Sequence, residues 1–173
     1  MSGKGSKAKG HTFERLVAKK IIEALGAPFD RSDCYRTPLS GGHEFAGASD
    51  LVISPRLREI FPFCVECKHR KNFRLEHAFD MVKDFAGYHE QVIAASAREG
   101  SIRTPMLVLR GNRGTIYCAV PRRSTQLSCC PRIEYRAKFD DWVLVQFDRF
   151  LECIKAGLSS HAAALPQEQE RPD

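Results

Sequence analysis

Asp50-Leu-Val-Ile53, followed after a turn-rich link with Pro55 and Pro62 by Phe63-Cys-Val-Glu-Cys-Lys68, reads as two strands carrying ionisable residues. Side chains alternate along a strand, so Phe63, Val65 and Cys67 share one face and Cys64, Glu66 and Lys68 the other. So hydrophobic a strand is expected to be central. Ionisable groups on buried surface cost on the order of several kcal/mol each unless paired or metal-bound, so charges kept there point to chemistry. Asp50 begins the preceding strand, and a hairpin would bring its carboxylate beside Glu66. Two carboxylates held close repel, and a divalent cation relieves the repulsion. Mg²⁺ takes oxygen ligands and keeps several waters, so Asp50, Glu66 and the Cys67 backbone carbonyl would leave positions open for a phosphate and a water. Lys68 would orient or help deprotonate that water and stabilise charge gathering on the phosphate. A structural Glu66–Lys68 salt bridge is the plain alternative. A D…ExK string is common by chance, so its surroundings carry the weight.

Outward from this stretch, Phe13, Leu16, Val17, Ile21, Ala24 and Leu25 recur at helical spacing, with Thr12 as N-cap and Gly26 as stop. Asp30 to Ser49, containing Arg36-Thr-Pro-Leu-Ser-Gly-Gly42, reads as a loop entering the Asp50 strand. Leu75 to Ala97 reads as a long amphipathic helix, bent at Gly87. Met106–Leu109 and Thr115–Val120 flank Gly111-Asn-Arg-Gly114, a hairpin signal. Trp142–Phe147 forms a further strand, and Arg149–Ala156 a closing helix stopped by Gly157. The expected architecture is α/β, a single domain over residues 11–158 with one mixed β-sheet flanked by helices. Residues 1–10 and 159–173 read as a disordered basic tail and a disordered polar tail.

The 173 residues, 43% hydrophobic, suffice for one core without disulfides or structural metal. A formal charge of +6 and a pI near 9.0 favour a polyanionic partner. No apolar run is long enough to span a membrane and no apolar stretch follows the basic start, so a soluble cytoplasmic protein is expected. Seven cysteines, an odd number in such a compartment, should be reduced. Cys64 and Cys67 with His69 superficially resemble a zinc knuckle, but no second pair stands at suitable spacing and alternation aims the two thiols at opposite faces.

Taken together, Gly-Ala-Ser-Asp50-Leu-Val-Ile, then Phe-Cys-Val-Glu66-Cys-Lys68, after a helix carrying Glu14, resembles the PD-(D/E)XK nucleases and, within them, the archaeal-type Holliday junction resolvases often carried by phages. The resemblance covers roughly residues 10 to 120 and implies a restriction-endonuclease-like core. Lys9-Gly-His-Thr-Phe-Glu14 resembles the basic entry of that family's first helix, where the glutamate lies near the metal and would serve catalysis. Glu14 also shares a stripe with Val17, Ile21 and Leu25; a first-turn glutamate favoured by the helix dipole is the other reading. Arg36 and Ser40-Gly41-Gly42 resemble the loop in which a basic residue and a serine approach the scissile phosphate. Gln91 resembles a glutamine that contacts the site; an exposed helical glutamine is its bland counterpart. Ala48-Ser49 replaces the proline expected before Asp50.

His69, Arg70, Lys71 and Arg74 directly follow the ExK strand and would line a DNA groove; Arg110, Arg113, Arg122 and Arg123 surround the later hairpin. The expectation is a Mg²⁺-dependent DNA endonuclease, with Mn²⁺ substituting; the resemblance implies that it acts on four-way junctions, whose paired incisions a homodimer would supply. Its rivals are a restriction-like or repair endonuclease on duplex or damaged DNA, a non-catalytic DNA-binding module, and a zinc-stabilised structural protein.

Overall fold

The computed structural model describes residues 3–38, 49–71, 73–74, 76, 83–98, 103–112, 114–124, 133–137 and 140–163. In chain order the described elements are α1 (Gly3–Leu25), β1 (Cys34–Arg36), β2 (Leu51–Ile53), α2 (Pro55–Arg58), β3 (Phe63–His69), α3 (Lys83–Arg98), β4 (Thr104–Arg110), β5 (Ile116–Pro121), β6 (Ile133–Ala137), β7 (Asp140–Gln146) and α4 (Phe147–Ala163). The expected α/β class with a mixed sheet is what forms. Five strands run in the order β3-β4-β5-β7-β6, with β3 parallel to β4 and the other pairs antiparallel. The β4–β5 hairpin signal is borne out, with Leu107 opposite Ala119 and Arg110 opposite Ile116.

The sheet is apolar on both faces. Val65, Cys67, Met106, Val108, Cys118, Val120, Val143 and Val145 meet Phe13, Val17, Ile21, Phe150 and Leu151 of α1 and α4. The alternate residues Leu107, Leu109, Ala119, Trp142 and Leu144 meet Phe85 and Val92 of α3. The resulting helix–sheet–helix sandwich buries each face under its own helical layer. His89 fixes α3 further: its ring lies edge-on against Trp142, centroids 4.4 Å apart, and burial pushes its pKa down to about 4.

Several boundaries differ from the sequence reading. Helix α1 begins at Gly3, so residues 3–10 are helical rather than a tail, and Thr12 is interior; its hydroxyl donates to the Ala8 carbonyl at 2.9 Å. Lys, Ala and Ser tolerate helix without giving the apolar rhythm that announces it. The stop is as read: Gly26 takes φ of 68° and its N–H donates to the Ile22 carbonyl, which a left-handed glycine permits at no steric cost. Helix α4 passes through Gly157 to Ala163. The loop from Asp30 contains β1, and the turn after Ile53 contains α2, capped by the Ser54 hydroxyl accepting from the Leu57 N–H, with Pro55 in the first turn.

Two corrections bear on the site. Strand β3 is the edge of the five-stranded sheet, not its centre; it is apolar because helices cover both faces and the β1–β2 hairpin stands along its outer side. Strand β2 pairs antiparallel with β1, Arg36 opposite Leu51, rather than forming a hairpin with β3. Among the cysteines, Cys34, Cys64, Cys67 and Cys118 are buried thiols, whereas Cys153 is disulfide-bonded, which corrects the expectation of wholly reduced sulfur. Composition speaks only for the average thiol, while pairing is decided by which two sulfurs the fold brings together.

Candidate active site

Asp50 enters the site on a backbone held at both ends. Its N–H donates to the Val65 carbonyl at 3.0 Å and its carbonyl accepts from the Thr37 N–H at 2.9 Å. The preceding Ser49, standing where a proline was expected, is buried, and its hydroxyl donates to the Leu51 carbonyl at 2.7 Å. A polar side chain thus restrains locally what a ring would otherwise stiffen. The Asp50 carboxylate accepts the Cys67 N–H at 2.8 Å. In a strand the N–H and C=O of one residue point to the same side, so the Cys67 carbonyl also faces the outer edge of β3, where Asp50 stands.

Burial first, then the negative charge of Glu66 and more weakly that of Glu14, push the Asp50 pKa up to about 7; the Cys67 N–H and Lys68 pull the other way. Local positive charge therefore falls short of local negative charge.

Glu66 is buried on the α3 face of β3, and Lys68 reaches its Oε1 at 2.5 Å. The same ammonium donates to Gln91 Oε1 at 2.8 Å, and it lies 5.4 Å from the centroid of the Tyr88 ring. Gln91 is exposed yet engaged. Arg70, just past the strand, donates from Nε to the Tyr88 hydroxyl at 2.6 Å, with its guanidinium carbon 5.2 Å from the same ring. Tyr88 was absent from the sequence reading. The signal that could have found it is its place three residues before Gln91 on one helix, which puts both on one face.

Of the other expected residues, Glu14 is buried and its Oε2 accepts from Arg36 Nε at 2.7 Å. Both therefore stand near Asp50, joined to each other. His69 turns toward α1, its ring 5.6 Å from that of Phe13. With exposed Lys9 and with Arg110 it lines a cavity of about 250 Å³, on the flank of α1 away from Glu14. Lys71 and Arg74 are exposed beyond β3. Ser40, Gly41 and Gly42 lie outside the described residues, as does Arg113.

The donor chemistry fits a hard divalent cation: two carboxylates, Asp50 and Glu66, and a carbonyl, with Asp50 lacking sufficient positive charge beside it. Among the described residues no three His, Cys, Asp or Glu side chains are gathered closely enough to hold a metal. Glu14 is paired with Arg36 instead of completing such a set. A site offering two carboxylates and a carbonyl leaves water to fill the remaining positions, which is how Mg²⁺ is commonly held. The zinc-knuckle reading finds no support, for Cys67 is packed into the α1 face of a strand whose Cys64 belongs to the other.

The model of one family, described as phage putative PDDEXK endonuclease, matches residues 5–157. Comparison with curated proteins and with solved structures gives no match. No helix among the described residues is long and apolar enough to cross a membrane.

Proposed function

The chain belongs to the phage PDDEXK endonuclease family, and from that premise we propose that it cuts DNA phosphodiesters with a divalent cation, Mg²⁺ or Mn²⁺, held by Asp50, Glu66 and the Cys67 carbonyl. The observation that carries this reading is the buried Asp50 carboxylate, fixed by the Cys67 N–H at 2.8 Å and set beside Glu66, whose negative charge acts on it more strongly than the positive charge of Lys68. When bound, the cation supplies Lewis acidity to the phosphate and lowers the pKa of a water.

The residues do the rest. Asp50 and Glu66 fix the position of the reacting centre against the edge of β3. Lys68, tethered by Glu66 and Gln91, presents an ammonium that orients the attacking water and offsets charge developing on the phosphoryl oxygens. Arg70, Lys71 and Arg74 continue the same edge as positive charge for the flanking phosphates. Arg36 and Glu14 add a second ion pair beside Asp50, and Ser40 is proposed for the scissile phosphate on the resemblance alone.

The proposed substrate is a four-way junction, cut by a homodimer in a cytoplasm. A two-fold assembly with one site per subunit supplies the paired incisions that a symmetric junction requires, and the net charge of +6 suits the many phosphates of converging arms. The test follows junction cleavage in Mg²⁺ at moderate salt while excess linear duplex of the same sequence is added. Junction cleavage should persist. If duplex competes equally or is cut as fast, the junction assignment fails in favour of a duplex or repair endonuclease; if DNA is bound and nothing is cut, the chain is a binding module.

A further inference from the structure

Tyr88 of α3 touches two cations that come from one strand. Lys68 and Arg70 are two residues apart, and the Arg70 N–H donates to the Arg110 carbonyl at 3.0 Å, so strand pairing continues past His69 and both side chains emerge on the α3 face. Adjacent cations repel and would splay into solvent. The ring opposes this by presenting its electron-rich π system to each, 5.4 Å from the ammonium and 5.2 Å from the guanidinium carbon. The hydroxyl adds an asymmetric contact, accepting, among the described residues, from Arg70 through Nε at 2.6 Å. Engaging Nε orients the planar guanidinium and leaves its two terminal amino groups as a fork, the shape that meets a phosphate through two hydrogen bonds.

We propose that Tyr88 is a positioning residue that divides two tasks: its ring seats Lys68 for the chemical step, and its hydroxyl aims Arg70 at a backbone phosphate next to the scissile one. The inference rests on the nuclease reading and names how that site grips its substrate. The ring task acts on turnover and the hydroxyl task on binding, so the two separate experimentally.

Tyr88→Phe keeps the ring and removes the hydroxyl. DNA affinity, measured in Ca²⁺ to suppress cutting, should weaken about fivefold, the scale of one ordinary hydrogen bond lost near the surface. The logarithmic salt slope of binding should shrink by up to about 0.9, one phosphate contact. KM should rise accordingly while kcat falls less than twofold. Tyr88→Leu should show the same binding loss and lower kcat by a further factor of about ten, because Lys68 loses its support. Introduced beside Arg70→Gln, Tyr88→Phe should add nothing to the binding loss. The proposal is overturned if Tyr88→Phe lowers kcat without weakening binding, if its effect adds to that of Arg70→Gln, or if Tyr88→Leu and Tyr88→Phe turn over alike. Failure of the nuclease reading looks different: wild-type protein would then cut no DNA in any metal, whether or not it binds, which overturns both.

Discussion

Asp33 and Asp50 are both aspartates of the β1–β2 region, and their surroundings are opposite. The Asp33 carboxylate takes two guanidinium nitrogens of Arg56, the Ser54 hydroxyl at 2.6 Å and the Asp30 N–H at 2.9 Å. Those partners, Arg56 foremost, hold its pKa far below the usual carboxylate range. Asp50 receives the Cys67 N–H and faces Glu66 and Glu14, so its pKa moves upward. The first carboxylate is answered in full by its own chain and ties the hairpin to α2. The second is held in place but not neutralised, which is the condition of a group awaiting a cation.

The largest effects should separate the two aspartates outright. Asp50→Asn or Glu66→Gln should lower cleavage by about three orders of magnitude or more, the loss of on the order of 4 kcal/mol of transition-state stabilisation, with DNA binding largely retained. Asp33→Asn should leave cleavage within a few-fold and lower the melting temperature instead. A cleavage assay and a thermal melt on the same preparations check this; an Asp33 variant that loses cutting while keeping its melting temperature would dissolve the distinction.

Next in size is the metal requirement. Excess EDTA should abolish cutting and Mg²⁺ or Mn²⁺ restore it, whereas Ca²⁺ should permit binding with little turnover, its looser coordination placing the water poorly. Full activity after exhaustive chelation would mean the Asp50 imbalance serves another purpose.

The pH dependence of stability sharpens the contrast by its sign. The native Asp50 pKa of about 7 lies above the ordinary 3.8, so between those values the native state keeps a proton the unfolded chain has released, and stability falls as pH rises through that window. For Asp33 the native pKa is depressed, so its contribution is present above the ordinary value and lost as pH falls below it. In EDTA, the wild-type melting temperature should drop by several degrees more than that of Asp50→Asn between about pH 5 and 7, and Mg²⁺ should recover the difference at neutral pH. Identical pH profiles for the two proteins would remove Asp50 as the cause.

The smallest expected effect is that of Gln91→Ala, which removes one of the two hydrogen-bond partners that Lys68 has among the described residues but leaves Glu66 and the Tyr88 ring. Turnover should fall about threefold, consistent with one exposed hydrogen bond, as single-turnover kinetics would reveal.

The shared face of Glu66 and Lys68 was legible because strand alternation is a local rule: it placed them opposite Val65 and Cys67 before any tertiary information, whereas Asp50 reaches β3 without the hairpin that was expected to bring it there. The apolar stripe of α1 and the turn between β4 and β5 were legible for the same reason. What escaped was non-local. That β3 lies at an edge depends on where the chain returns after Arg98, and an apolar strand reads alike at edge and centre when both its faces are covered. The Asp33–Arg56 network joins residues in what looked like loop and turn. The basic run that begins at the end of β3 was read as one group, yet His69 turns to α1 while Arg70 turns to Tyr88, a division decided by packing.

Strand β2 meets β3 through the Asp50 N–H and carboxylate and then turns to β1 for its ladder, leaving a seam between the two sheets. That seam sets a limit on improvement by selection or engineering. Closing it with a continuous β2–β3 ladder would add backbone hydrogen bonds and stiffen the protein, but it would engage the outward Cys67 carbonyl and draw Asp50 into the pairing. A more stable descendant of this chain built that way would be a poorer enzyme.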